Sequence, residues 1–396
     1  MEARKAPARV LGLIVTLSVA QAIAHLCTSA MPFQVGSLMD GYRFSATGAG
    51  LVGFFQVGAL AISMIVFSPM AHRFSPLRVC LCGMSLAAGS NLIIYVVPPS
   101  LGLVCMFAAL AGTGYGLTLT AAVAAAAGSS QPDRMYAAGN SGALLLIVAM
   151  LSVLPLANIH LGKRGTFLAI PILIALGAPL LVGFRGRRAG EVLDVKLKKF
   201  SEGTPLLVIW ALFSFGTGAM WAFTERVGAG LLLPGPTIGI VLSTSAFAGL
   251  VGTGLAALLS DKVNRLVAIG AGLVGGGITC LMFATASGLF SFAAAATLYW
   301  VCTMFVYVYL LGTAALLDPT GRLGTLGTGC ERLAFAVGAP VGGLFVDFGS
   351  YAWVGVMAAV ACALIAPLFL ARLSGVLRAA GEAKRHSARS AVAPMP

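Results

Sequence analysis

Charge is scarce in this chain. Only 9% of its 396 residues are Asp, Glu, Lys or Arg, and just 12 are acidic, whereas a soluble domain carries about 25% charged residues. That deficit, together with 59% hydrophobic residues, argues against a fold surrounded by water and leaves a lipid bilayer as the solvent. No G-x-x-x-x-G-K-S/T stretch occurs, which argues against nucleotide hydrolysis as an energy source. The eight cysteines, Cys27, Cys80, Cys82, Cys105, Cys280, Cys302, Cys330 and Cys362, lie mostly in apolar runs without paired spacing. They read as small buried hydrophobes rather than disulfides or metal ligands. A membrane enzyme would need His or carboxylate groups clustered on one membrane face, or a Ser, His and Asp set, and the sequence shows neither. No metal and no cofactor is expected.

What is abundant is glycine, with 50 residues, and long apolar segments. Small residues let helices approach closely in lipid, where no hydrophobic effect drives them together. A spanning helix needs about 20 mainly apolar residues. Segmentation at polar, Gly and Pro punctuation predicts twelve, at 10–34, 46–71, 78–97, 101–128, 136–158, 166–183, 205–228, 236–259, 266–286, 290–316, 324–346 and 351–372. The basic N-terminus, MEARKAPARV, precedes an apolar run too long for a signal-peptide core, so that run is expected to be the first span.

The formal charge of +13 raises the question of nucleic acid, and the placement of the basic residues answers it. Of 25 Lys and Arg, twenty fall on the side that holds both termini and three, Arg43, Lys163 and Arg164, on the other. Basic loops mark the cytoplasmic side. The expectation is a multi-pass protein of the inner, cytoplasmic membrane with both termini in the cytoplasm, and the basic excess is topological. The longest polar stretch, FRGRRAGEVLDVKLKKFSEGTP, follows the sixth span. It divides the chain into an N-terminal six-helix bundle at 1–183, a cytoplasmic loop at 184–204 and a C-terminal bundle with a basic tail at 205–396. Within the loop, VLDVKLKKF reads equally as a solvated linker or as a short amphipathic helix on the inner leaflet.

Twelve helices in six plus six, joined by a long loop, resemble the major facilitator superfamily over essentially the whole chain. The signature that this superfamily carries between spans two and three, G-x-L-A-D-R-x-G-R-(K/R), is degenerate here. SPMAHRFSPLRV keeps Arg73 and Arg78 but has His72 at the aspartate position. Its echo between spans eight and nine, ALLSDKVNRL, keeps Asp261, Lys262 and Arg265. The resemblance implies an all-α integral membrane protein with two pseudo-symmetric bundles, and a cytoplasmic latch formed from these six residues. GAPVGG in span eleven looks like the glycine-proline signature that proton-driven drug antiporters of the superfamily carry in span five, so it stands on the other repeat.

Five ionisable groups lie inside spans, His25, Glu225, Arg226, Glu331 and Arg332. Such groups are costly in lipid and face a cavity or a partner. Span seven aligns Ser214, Thr217 or Gly218, Trp221 and Glu225 on one face, and span one aligns Ser18, Gln21, His25 and Thr28 or Ser29. The resemblance places spans one, four, seven and ten around a central cavity, so these faces would line it, with Tyr115, Tyr299, Thr303 and Tyr307 as further candidates. Glu225 is expected either to carry a proton or bind substrate, or to sit in a static ion pair with another helix. Arg226, about 100° around the helix, need not be its partner. Arg332 can fork onto a carboxylate and Glu331 can be a proton site, or both can tie helices together.

The function expected is secondary active transport of a small organic solute, aromatic or carboxylated, by alternating access with protons as the coupling ion and the chain acting as a monomer. A proton-driven drug or metabolite efflux antiporter is the alternative, and a transporter-like sensor or scaffold a remote one.

Overall fold

The computed structural model describes residues 5–129, 131–186, 203–260, 262–318 and 322–379. Residues 187–202, most of the expected central loop, lie outside the described residues, as does Asp261. Among the described residues the chain is helical throughout, and twelve helices are long and apolar enough to cross a bilayer. They are α1 (Val10–Ser29), α2 (Ala46–Arg73), α3 (Pro76–Val96), α4 (Leu101–Ala127), α5 (Arg134–His160), α6 (Gly165–Phe184), α7 (Thr204–Gly230), α8 (Gly235–Leu259), α9 (Arg265–Ala284), α10 (Leu289–Leu317), α11 (Arg322–Phe348) and α12 (Tyr351–Ala379). Each overlaps an expected span. Large apolar side chains such as Ile65, Leu176, Leu258 and Leu364 stand exposed on them, as lipid-facing residues do.

The first span departs from expectation. Helix runs only to Ser29, and a second helix, Met31–Tyr42, follows after a turn at Ala30. Pro32 explains the break, because it has no N–H to give the Thr28 carbonyl four residues back. That carbonyl is therefore available to another donor, which proves important below. The connecting helix stops at Arg43, which takes the left-handed conformation (φ 57°). Ser45 then caps α2 by accepting from the Gly48 N–H at 3.1 Å.

Packing repeats with a shift of six helices. In the first half α1 packs on α5, α2 on α4, α3 on α4 and α3 on α6; in the second α7 packs on α11, α8 on α10, α9 on α10 and α9 on α12. Two pseudo-symmetric bundles follow from this one pattern. Close approach depends on missing side chains. A Cβ at Gly112 of α4 would run into the Gln56 carbonyl of α2, and one at Gly252 of α8 into the Val301 carbonyl of α10.

Three helix pairs carry the close packing between the halves, namely α2 with α11, α5 with α8, and the connecting helix with α7. With twelve spans, the start of α1 at Val10 and the end of α12 at Ala379 lie on one face, called here the termini face; the opposite one is the distal face.

Candidate functional site

The contacts between the halves are concentrated toward the distal face. On α2 and α11, a Cβ at Gly50 would meet the Ala339 carbonyl and Pro340, and one at Gly343 would meet Ala46 and Thr47. The GAPVGG segment is thus a packing seam, with Gly338 against Phe215 and Ala219 of α7 and Gly343 against α2. One turn further, the Asp347 carboxylate accepts from the backbone N–H groups of Ala46 and Thr47, both at 2.9 Å. A carboxylate of the second half therefore caps a helix N-terminus of the first, where unpaired N–H groups and the helix dipole favour negative charge. Between α5 and α8, Pro155 lies against Gly239, and the Ser152 and Ser243 hydroxyls meet at 3.0 Å.

Span seven closes the same end. Arg226 donates from Nε and Nη2 to Glu225 at 2.6 and 2.8 Å, and from Nη1 to Asp40 of the connecting helix at 2.9 Å. Of the two arrangements left open for these neighbours, pairing is the one the structure shows. The guanidinium reaches both carboxylates, and the side chains of Arg226 and Glu225 are only 14% and 13% exposed. Gly36 makes room for the Glu225 carboxylate, since a Cβ there would overlap it. A cleft of about 190 Å³ beside the triad is lined by Phe33, Ser37, Asn158 and Lys163 among others. One turn deeper, the Trp221 indole N–H donates at 3.0 Å to the Thr28 carbonyl, the one that Pro32 leaves without an intrahelical donor. Trp221 stacks on Tyr299 at 5.4 Å between ring centroids and meets Trp300 edge-on at 5.5 Å. The Tyr299 hydroxyl donates to the Thr217 carbonyl at 3.2 Å.

On the termini side of this aromatic layer a second group of residues faces across the halves. Arg332 of α11 lies within electrostatic range of His25 and Cys27 of α1, Tyr136 of α5 and Tyr307 of α10. Its Nε is 3.4 Å from the Glu331 carboxylate, and the two side chains are 26% and 15% exposed. His25 is half-buried and its Nδ1 is 2.8 Å from the Gln21 carbonyl. A carbonyl can only accept, so Nδ1 carries a proton in this bond. Tyr307 stands edge-on to the buried Trp210 at 5.6 Å. Thr303, one turn from each of Tyr299 and Tyr307, has a buried hydroxyl with no partner, as has the Gln21 carboxamide.

The expected site residues thus separate into four groups. His25, Tyr307, Glu331 and Arg332 converge, with Gln21 behind His25. Trp221 and Tyr299 form the layer above them. Glu225 belongs to the distal closure. Tyr115 is fully buried and accepts from the Asn91 carboxamide of α3 at 3.1 Å, so it packs within the first half. Sequence reasoning missed Asp40 and Asp347, and it placed Thr28 on the polar face of span one without assigning a role to its carbonyl. The two aspartates looked like loop charges, and the Thr28 carbonyl is signalled only by Pro32 four residues later.

Of the expected latch residues, His72, Arg73, Arg78 and Lys262 are exposed and make no ion pair or side-chain hydrogen bond among the described residues. Arg265 turns to its own half, 3.4 Å from the Thr313 hydroxyl and over the Tyr309 ring at 5.9 Å. No ion pair joins the halves at the termini face among the described residues.

A fold of two helical bundles with twelve apolar spans, and with partly buried ionisable groups on helices of both halves, is that of a membrane transporter. The chain belongs to the Major Facilitator Superfamily, whose sequence profile matches residues 17–326, and it is not an enzyme. No curated protein sequence matches it. Among solved structures it is similar to the nucleoside transporter NupG, with 15% identity, 91% of this chain and 98% of that chain covered, and a TM-score of 0.72. It is also similar to a variant of the peptide transporter POT, with 12% identity, 93% and 95% covered, and a TM-score of 0.73. A bacterial homologue of the human lysosomal transporter Spinster, in an inward-facing and unoccupied conformation, matches with 12% identity, 94% and 98% covered, and a TM-score of 0.69. Identities this low establish the fold and leave the cargo to be argued from the residues.

Proposed function

We propose that this protein is a proton-coupled secondary active transporter of the cytoplasmic membrane. It moves a small organic solute by rocking the half at 1–183 against the half at 205–396, with 184–204 as a cytoplasmic connection. The lysine and arginine distribution supports cytoplasmic termini, so the termini face is inside and the conformation described is the one open to the cytoplasm. The observation that carries this reading is the confinement of the described bonds between the halves to the distal end, while His25, Glu331, Arg332 and Tyr307 lie between the bundles beneath it. Buried ionisable groups accessible from one side at a time are what coupling a solute to a proton requires.

The test is side-specific labelling. In a variant without native cysteines, Tyr307→Cys is expected to react with an impermeant thiol reagent applied from the cytoplasmic face. From outside it reacts only when the distal contacts are broken, as by Gly50→Val. Simultaneous labelling from both faces in the parent background would describe a channel and sink the proposal.

A further inference from the structure

The chain contains two Glu-Arg dipeptides inside the membrane, Glu225-Arg226 in α7 and Glu331-Arg332 in α11, and the structure treats them differently. Around Arg226 three guanidinium nitrogens are committed, two to Glu225 and one to Asp40. Two carboxylates surround that cation, and nothing further can fork onto it. Around Arg332 only Nε has a partner, a single contact of 3.4 Å to Glu331. Nη1 and Nη2 have no partner among the described residues, although the side chain is only 26% exposed and sits inside the apolar span Arg322–Phe348. Those two nitrogens are the edge with which an arginine grips a planar carboxylate through two parallel bonds.

We infer that the carried solute is an organic monoanion whose carboxylate is received by the open edge of Arg332, and that it is carried with one proton held by Glu331. This inference rests on the transport reading above and deepens it by naming the substrate class and the stoichiometry.

Charge balance gives the second half of the inference. The groups that face Arg332 are His25 and Cys27 from α1, Tyr136 from α5, Tyr307 from α10 and Glu331 from its own helix. With Glu331 ionised and the others neutral, the empty site has no net charge. An entering carboxylate would leave it at minus one in a low-dielectric interior, which is strongly unfavourable. Transfer of a proton from the cytoplasmic or external solution to the Glu331 carboxylate restores neutrality and releases Arg332 to the ligand. Empty and loaded carriers are both neutral, so the cycle moves no net charge. A doubly charged phosphate would need a second cation, and Arg226, the other arginine well inside a span among the described residues, is already committed to Glu225 and Asp40. Tyr307, Thr303 and Gln21 supply hydroxyl and amide groups beside the fork, suited to a ligand with further polar substituents.

The experiment is ligand-induced thermal shift on the purified full chain, with benzoate, 4-hydroxybenzoate and butyrate as probes and benzamide and butyramide as neutral isosteres, at pH 5.5 and 7.5. At least one acid is expected to stabilise the protein, more at the lower pH. Its apparent Kd should weaken by up to about tenfold per pH unit, the limit for one linked proton. Neither amide should act. Glu331→Gln should bind the acid with the pH slope removed, and Arg332→Lys should lose most of the affinity because it has no fork. The double variant Glu331→Gln with Arg332→Gln leaves no uncompensated charge, which guards against misfolding, and should not bind. The inference is overturned if the amides act as well as the acids, if acid binding survives in the double variant, or if no acid stabilises the protein at either pH. Each of these leaves the labelling test of alternating access standing, so failure of the anion class and failure of the transport reading are distinguishable.

Discussion

Asp347 is the most testable part of the distal closure. Its carboxylate reaches from the last turn of α11 to two N–H groups at the start of α2, both at 2.9 Å, and this bond exists only while the distal ends are together. Asp347→Asn keeps the size and one acceptor oxygen but removes the charge. A charged cap with its helix-dipole interaction contributes about 1–2 kcal/mol. Asp347 is exposed, and solvent screening brings the figure toward the lower end. About 1 kcal/mol less for the closed state raises the ratio of distal-open to distal-closed molecules roughly fivefold. Spin labels at the exposed Leu161 and Leu232, one in each half near the distal face, would read this by double electron-electron resonance. The long-distance population should grow in the variant while a label pair within either half stays unchanged. An identical distribution in parent and variant would refute the view that this cap holds the gate.

Trp221→Phe removes the donor to the Thr28 carbonyl and should weaken the closed state by about 1 kcal/mol or more, because that carbonyl is then left unpaired. Adding Pro32→Ala supplies a backbone N–H to the same carbonyl, so the double variant should recover part of the loss in thermal melting, and a strictly additive result would contradict this account. Arg226→Gln should lower stability by about 2 kcal/mol, since it strands Glu225 beside Asp40. Removing the charge of Glu225 as well should restore most of it, as denaturation midpoints would show. Gly50→Val places side-chain atoms against the Ala339 carbonyl. It should hold the distal face open in the same resonance assay, and a normal distal distance would refute the close-contact reading.

The spans were legible because lipid demands length and apolarity, and both are local properties of the chain. The repeat of six was legible through the echo of SPMAHRFSPLRV in ALLSDKVNRL, and the packing pattern has the same period. Partnerships were not legible. Whether Arg226 turns to Glu225 or away depends on Gly36 and Asp40, which lie about 190 residues earlier in the chain. Tyr115 and Tyr307 look alike in sequence in one respect, since each is a tyrosine inside an apolar helix. Tyr115 faces Asn91 only because α3 and α4 approach through Gly83 and Gly114. The break after Ser29 was available in principle from Pro32, but a proline inside an apolar run also reads as an ordinary first-turn residue of a helix.

The seam between α2 and α11 is largely backbone against backbone, with Gly50 over Ala339 and Gly343 over Ala46 and Thr47. Backbone packed on backbone at these glycines has no rotamers to unthread when it separates. The mechanical consequence is a bearing rather than a bolt. In the proposed cycle, resistance to rocking would sit in a few polar bonds at Asp347, Arg226 and Trp221, and the rate could be tuned through them one by one without remaking the surface between the halves.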